Sequence, residues 1–365
     1  MRQELHAQAD RIEYLLAQYG LYARVVGGTV SPQTIRFHLL PAQGTRLKRF
    51  TALTEELALL LGVSQCHISR QQGCLNLEIP RSNRVLVRLT ALYERLGNVP
   101  PCTAVLGLDQ EGNPLLLNLP SPDVSHVLIT GTTGSGKTEL TRAIIASLAR
   151  FNRQSQLQIV LIDPKNRGFA PFYDLPHLLH PIVSEWGDVI VVLEGLVEEM
   201  MRRDRQGRNA PRLVVFIDEL ADLALTAPRQ VHDPLSRLAQ RGRQAGIHLI
   251  ICTQKPTVGV LGCLAKANFP VRLVGTVTTP EEAKMATGMA RSGAEKLLGR
   301  GDFIAVTRGE TVRFQAAYIP GHEIESLAGA PGPAHERTDS RTMAGSEGWG
   351  SVPRVRPVRG LRRIK

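Results

Sequence analysis

The stretch Gly131-Thr-Thr-Gly-Ser-Gly-Lys-Thr138 carries the clearest chemistry in this chain. Its three glycines let the backbone turn tightly and aim successive N–H groups into one concavity, and a helix opening there adds partial positive charge. Such a cradle holds a nucleoside triphosphate largely by main chain. The candidate contacts are Gly131, Thr132, Thr133, Gly134, Ser135, Gly136, Lys137, Thr138 and Glu139. Lys137 is expected to reach the β- and γ-phosphates of ATP, and the Thr138 hydroxyl to ligate Mg²⁺. The context fits: an apolar strand, His126 to Thr130, precedes the loop, and Leu140, Ile144, Ile145 and Leu148 recur at helical spacing after it.

A second half of the site follows. Leu213-Val-Val-Phe-Ile217 is an apolar strand ended by Asp218 and Glu219. In this pairing the aspartate orients Mg²⁺ through its water shell and the glutamate polarises the attacking water. Two more strand ends carry polar groups. Leu157 to Ile162 leads into Asp163-Pro-Lys165, and Gly246 to Cys252 leads into Thr253 and Gln254, with Gln254 a candidate γ-phosphate sensor. Parallel strands present ligands at their carboxyl ends, so these tips are expected to converge.

The elements that must position them form an α/β domain with a mainly parallel sheet over residues 98–327. A helix from Val189 to Arg203 belongs to it, as do strands Val271 to Val277, Asp302 to Val306 and Thr311 to Ala316. The last two flank a turn, Thr307-Arg-Gly-Glu310. Thr103 to Leu108 and Pro114 to Leu119 read as a hairpin leading in. Upstream, residues 1–97 form a small α+β module: a helix from Gln3 to Tyr19, a strand Thr34 to Leu39, a helix marked by Phe50, Leu53, Leu57, Leu60 and Leu61, and a strand Cys74 to Ile79. Asn98 to Pro101 is the linker. The module's cations Arg36, Arg46, Lys48, Arg49, Arg70 and Arg81 fit either phosphate contacts or a solvated face. From Ala328 the composition turns to Gly, Pro, Ser, Thr and charge, so residues 328–365 are expected to be a disordered basic tail. Its last twelve residues hold five Arg and one Lys without an acid.

Composition narrows the partners. The chain of 365 residues is 43% hydrophobic and 21% charged, as a globular protein with two domains would be. No apolar run approaches the roughly 18 residues of a membrane span, and Glu4 and Asp10 interrupt any signal-peptide core. The expectation is a cytoplasmic protein with no membrane span. A net charge of +11 points to an anionic partner, nucleic acid first. Five scattered cysteines fit neither a disulfide framework nor a zinc site, and His248 fits a core histidine.

The motor half resembles the translocase domain of the FtsK/SpoIIIE family of double-stranded DNA pumps, within the FtsK/HerA branch of RecA-like P-loop ATPases. The resemblance is carried by the glycine-rich loop, Ile162-Asp-Pro-Lys165, Leu175-Pro-His-Leu-Leu179, Ile217-Asp-Glu-Leu-Ala-Asp222 and Gly246 through Pro256. Lys266-Ala-Asn-Phe-Pro270 and Gly293-Ala-Glu-Lys-Leu-Leu-Gly-Arg-Gly-Asp302 extend it. Residues 21 to 90 resemble the family's α subdomain. The resemblance implies a RecA-like fold, ATP with Mg²⁺, double-stranded DNA as partner and self-assembly into a homohexameric ring. It also implies an arginine supplied by the neighbouring subunit, with Arg202, Arg203, Arg243 and Arg272 the candidates. Residues 166–169, Asn-Arg-Gly-Phe, depart from the family's usual apolar-acidic run, and a basic tail stands where the winged-helix domain would be. The expected setting is a stand-alone motor of a mobile element, plasmid or phage. The alternatives are a type VII secretion-like or conjugative coupling ATPase moving protein or single-stranded DNA, and a non-motor partition factor.

Overall fold

The computed structural model describes residues 2–71, 74–83, 85–226, 228–254, 257, 269–308, 310–329 and 361–363. They divide into two compact units, Met1–Val87 with Leu108–Asn113, and Arg88–Gly107 with the residues from Pro114 on. The division falls before the expected Asn98 linker. A helix not foreseen, Leu89–Arg95, belongs to the second unit, where Leu89 N–H donates to the Tyr318 carbonyl at 2.9 Å and Arg88 pairs with Glu323.

The first unit contains α1 (Arg2–Gln18), β1 (Ala23–Val30), β2 (Thr34–Pro41), α2 (Leu47–Thr51), α3 (Thr54–Leu61), β3 (His67–Gln71) and β4 (Cys74–Pro80). The strands pair antiparallel in the order β1-β2-β4-β3. Alternation in β2 and β4 turns Phe37, Leu39, Leu75, Leu77 and Ile79 to one face, where they pack with Ile12, Leu16, Phe50 and Leu57. The single helix expected around Phe50 to Leu61 is two, because Ala52 and Leu53 form a turn between them. Three of the candidate phosphate-contacting cations are engaged within the unit. Arg36 pairs with Glu78, Arg49 donates to the Tyr19 carbonyl and Arg81 to the Ser31 carbonyl.

The second unit runs α4 (Leu89–Arg95), β5 (Thr103–Asp109, its last two residues counted with the first unit), β6 (Pro114–Asn118), β7 (Val127–Thr130), α5 (Lys137–Phe151), β8 (Leu157–Ile162), α6 (Trp186–Gln206) and β9 (Arg212–Ile217). It continues with α7 (Leu220–Thr226), α8 (Pro228–Arg241), β10 (Ile247–Thr253), β11 (Val271–Val274), α9 (Pro280–Thr287), β12 (Asp302–Thr307), β13 (Glu310–Ala316), α10 (Gly321–Glu325) and β14 (Leu361–Arg363). One ten-stranded sheet results, ordered β14-β6-β5-β13-β12-β11-β7-β10-β9-β8. Strands β11, β7, β10, β9 and β8 are parallel. Their apolar runs lack alternation because both faces are covered. Leu128, Val160, Ile162, Val215, Ile217, Leu249 and Ile251 pack against Val189, Leu193, Val197 and Met200 of α6 and Leu235 and Leu238 of α8. The expected turn after Thr307 closes β12 on β13, with Thr307 opposite Glu310. In place of a tail disordered throughout, Leu361–Arg363 pairs antiparallel with Leu117–Leu115 of β6. This segment follows the last proline of the chain, so each of its residues has an N–H to give to the exposed edge of β6. Residues 330–360, like Lys255, Pro256, Cys263 and Lys266–Asn268, lie outside the described residues.

Cys66, Cys74, Cys102 and Cys252 are unpaired thiols, the last two buried. His248 is a core histidine as expected, its Nδ1 bonded to the Ser125 carbonyl and its Nε2 facing Arg212. Among the described residues no helix is long and apolar enough to cross a membrane, and no cluster of His, Cys, Asp and Glu could hold a metal by itself.

Candidate nucleotide site

The parallel register places the four polar tips side by side. Thr130, from which the loop springs, stands opposite Thr253, while Ile251 stands opposite Ile217 and Ile162 opposite Ile217 on the other side. Each following residue therefore leaves the sheet at the same end: the glycine-rich loop after β7, Gln254 after β10, Asp218 and Glu219 after β9, Asp163 after β8.

Within the loop, Lys137 is buried, and its Nζ donates to the carbonyls of Gly131 at 2.7 Å and Thr132 at 3.0 Å. Burial draws this ammonium below its ordinary pKa, and nearby Cys252, Glu219 and Asp218 oppose the shift. Ser135, fully buried, ties the loop by donating to the Thr132 carbonyl at 2.7 Å. Gly136 has φ +100, which a side chain would strain, and caps the helix that begins at Lys137. Thr138 and Glu139 occupy the first turn of that helix. Glu139 accepts from Arg142, whose guanidinium also donates to the Gly168 and Arg167 carbonyls at 2.7 and 3.2 Å.

Glu219, 4% exposed, accepts the Ala221 and Gln254 backbone N–H groups, the latter at 3.2 Å from both oxygens. The Gln254 side chain in turn accepts from Thr133 Oγ1 at 2.9 Å. The general base candidate, the sensor candidate and the loop tip are thus one connected set. Asp218 lies against Gly168, where a Cβ would come within 3.0 Å of its Oδ2. Burial raises the Asp218 carboxyl to about 6, with like charge from Asp163 and Glu219 adding to it and Lys137 and Lys165 opposing.

Two contributors were not assigned a role from sequence. The Asp163 carboxylate accepts the N–H groups of Lys165, Arg167, Gly168 and Phe169 at 2.8 to 3.2 Å, and so shapes the loop that carries Gly168 to Asp218. Arg142 holds the other side of that loop. The Asp-Pro and Arg-Gly pairs were a turn signal, but the four-fold acceptor role depends on how the turn folds. Lys165, on the same loop, pairs with Asp222 at 2.9 Å.

Arg202 and Arg203 do not join the site of their own chain. Arg203 is 4% exposed and donates to Glu199, to the Pro211 carbonyl at 2.7 Å and to the Ala245 carbonyl at 3.0 Å. Pro211 and Ala245 precede β9 and β10, so this guanidinium ties the opposite ends of the strands. Burial with three partners makes Arg203 a structural tie, contrary to its candidacy as a catalytic arginine. Arg202 pairs with Glu199 on the exposed side of α6. Arg272 donates to the Met285 and Ala286 carbonyls, and Arg243 is exposed.

The raised Asp218 pKa has a measurable consequence. Between the unfolded value near 3.8 and the folded value near 6 the native state binds the extra proton, so ionised Asp218 costs stability at neutral pH. Asp218→Asn is expected to stabilise the nucleotide-free protein at pH 7 by about 1 to 3 kcal/mol. The gain shrinks as pH falls through 6 towards 4, and denaturant titrations at the two pH values measure it. An equal gain at both would contradict the assignment.

The chain matches the FtsK/SpoIIIE family over residues 94–207 and 203–258, and the FtsK alpha domain over residues 1–81. It is 33% identical over 352 residues to the DNA translocase SftA of Bacillus subtilis, covering 88% of this chain and 37% of that protein. It is 32% identical over 357 residues to the DNA translocase FtsK of Sporosarcina ureae, covering 88% and 45% respectively. The chain thus spans less than half the length of these curated relatives. Among solved structures, the pCW3 conjugation coupling protein TcpA shares the fold with a TM-score of 0.60 at 18% identity, over 88% of this chain and 99% of that one. The cytoplasmic domain of the type VII secretion ATPase EccC of Thermomonospora curvata does so with a TM-score of 0.58 at 23% identity, over 70% and 34%. These last two likenesses bear on the fold alone.

Proposed function

The chain belongs to the FtsK/SpoIIIE family, and from that we propose that it is a cytoplasmic ATPase that uses hydrolysis to move along double-stranded DNA. The observation that carries the ATPase reading is the linked set at the strand ends, in which Gln254 joins Glu219 by its main chain to Thr133 by its side chain. Lys137 and the loop amides hold the β- and γ-phosphates. Glu219, fixed by two backbone donors, takes the proton of the attacking water, and Gln254 relates the loop tip to that carboxylate. The cradle's tight backbone, with oxygen donors at Thr138 and Asp218, fits Mg²⁺. Bound there, the ion supplies charge neutralisation for the phosphates.

The partner reading follows the family and the charge. Both relatives named above are called DNA translocases, and this chain carries a net +11. We read the working assembly as a ring, six subunits by family expectation, around a duplex held by phosphate contacts, since a motor must accept any sequence. Arg202, Arg243 or Arg272 of a neighbouring subunit would stabilise the transition-state charge.

Duplex DNA is therefore expected to stimulate ATP hydrolysis more than single strands or unfolded polypeptide. With about six phosphates neutralised, the half-saturating DNA concentration should rise by roughly 10³-fold between about 50 and 200 mM salt. Steady-state ATPase assays over that range check both statements. Activation by unfolded polypeptide without activation by duplex would replace the DNA reading with protein transport.

A further inference from the structure

A phosphate loop works by turning its N–H groups inward, so the carbonyls of the same peptides turn outward and need partners of their own. Here the partners come from a turn far along the chain. Arg300 N–H donates to the Gly134 carbonyl at 3.0 Å, and Gly301 N–H to the Ser135 carbonyl at 2.8 Å. The approach is backbone on backbone, since a Cβ on Gly136 would lie 2.8 Å from the Gly301 nitrogen.

That turn is held from behind by β12 and β13. Asp302, 4% exposed, accepts Arg313 Nε at 2.9 Å and a terminal guanidinium nitrogen at 2.8 Å, together with the Leu298 N–H at 2.9 Å. Gln315 Nε2 donates to the Arg300 carbonyl at 3.0 Å, and Ala316 N–H to the Gly301 carbonyl at 2.7 Å. Asp302 faces Gln315, and Ile304 faces Arg313, across the antiparallel pair. Gly301 has φ +91, and a Cβ there would reach within 2.6 Å of Gln315 Nε2. A bidentate pair is among the most directional contacts a protein makes, and here its carboxylate is buried while the guanidinium keeps 23% of its side-chain surface exposed.

We propose that the Arg300–Asp302 turn, clamped by Arg313 and Gln315, sets the shape of the phosphate loop, which makes Asp302, Arg313 and Gln315 positioning residues for ATP. The proposal rests on the ATPase reading above. Loosening the clamp releases the Gly134 and Ser135 carbonyls, and the loop amides then lose their fixed direction. Their binding contribution depends on that direction, and misplacement by about 1 Å costs on the order of a hundredfold.

The test compares the full chain with Arg313→Met, Arg313→Lys and Gln315→Leu. Hydrogen exchange at the Arg300 and Gly301 amides is read without nucleotide, and KM and kcat for ATP are read separately. The clamp predicts roughly tenfold faster exchange and a roughly tenfold higher KM in Arg313→Met, with kcat within about threefold. Arg313→Lys, which keeps the charge but loses the fork, is expected to fall between it and wild type. Gln315→Leu removes one hydrogen bond and serves if Arg313→Met does not fold. Unchanged KM despite faster exchange overturns the proposal, as does lower kcat at constant KM, the mark of a reduced folded fraction. Wild-type protein that binds no ATP contradicts the ATPase reading itself and takes the proposal with it. Wild type that binds ATP alongside indifferent variants overturns the clamp alone.

Discussion

Lys137→Ala is expected to lose ATP binding and turnover together, with kcat/KM falling by roughly 10³-fold or more, about 4 kcal/mol of transition-state stabilisation. The ammonium sits inside the loop within 2.7 Å of the Gly131 carbonyl and 3.0 Å of the Thr132 carbonyl, so truncation removes the one side-chain cation enclosed by the cradle's own backbone. Its ordinary proton affinity is already lowered by burial, so a triphosphate arriving there meets a charge with little hydration left to lose. Equilibrium binding of a fluorescent ATP analogue and steady-state hydrolysis check the two losses. A variant that bound normally and merely turned over slowly would show that Lys137 contacts the phosphates only in the transition state.

Glu219→Gln should separate what Lys137→Ala joins. The amide keeps the size of the carboxylate and retains an oxygen for the Gln254 and Ala221 N–H groups, so the link to Thr133 survives and nucleotide still binds. Proton acceptance does not survive. General base contributions run to about 10²–10⁴-fold, and kcat should fall by that much while affinity for ATP stays within about threefold. Such a variant is also expected to stay on DNA in the presence of ATP, because hydrolysis no longer resets it. Wild-type turnover in Glu219→Gln would remove Glu219 from the mechanism, and Asp163, at the neighbouring strand end, would be the next carboxylate to test.

These residues were legible in sequence because each lies within a short run that carries its own context. The loop stands between an apolar strand and an amphipathic helix, and Asp218-Glu219 ends an apolar strand. Once the strands are parallel, register alone gathers the tips, so the assembly of the site was legible too. What was not legible depends on contacts between distant segments. Nothing local to Arg300 announces that its N–H will meet Gly134, and nothing local to Arg203 says that Pro211 and Ala245 will enclose it. In sequence Arg203 stands with Arg202 and Arg205 at the C-terminal end of a helix. Its i–4 partner Glu199 and the start of β10 buried it. In the first unit β1 escaped notice because Gly27 and Gly28 interrupt its pattern at a bulge. Likewise α2 and α3 share one apolar face across a break that periodicity does not register.

The central claim is that ATP hydrolysis at this site drives movement along duplex DNA, and displacement of a third strand from a linear duplex tests it most directly. The protein with ATP and Mg²⁺ is expected to strip a triplex-forming oligonucleotide from a duplex bearing a free double-stranded approach. No stripping is expected with Lys137→Ala, with Glu219→Gln or with a non-hydrolysable analogue. Hydrolysis stimulated by duplex but without displacement would contradict the claim and leave a DNA-dependent ATPase that does not travel.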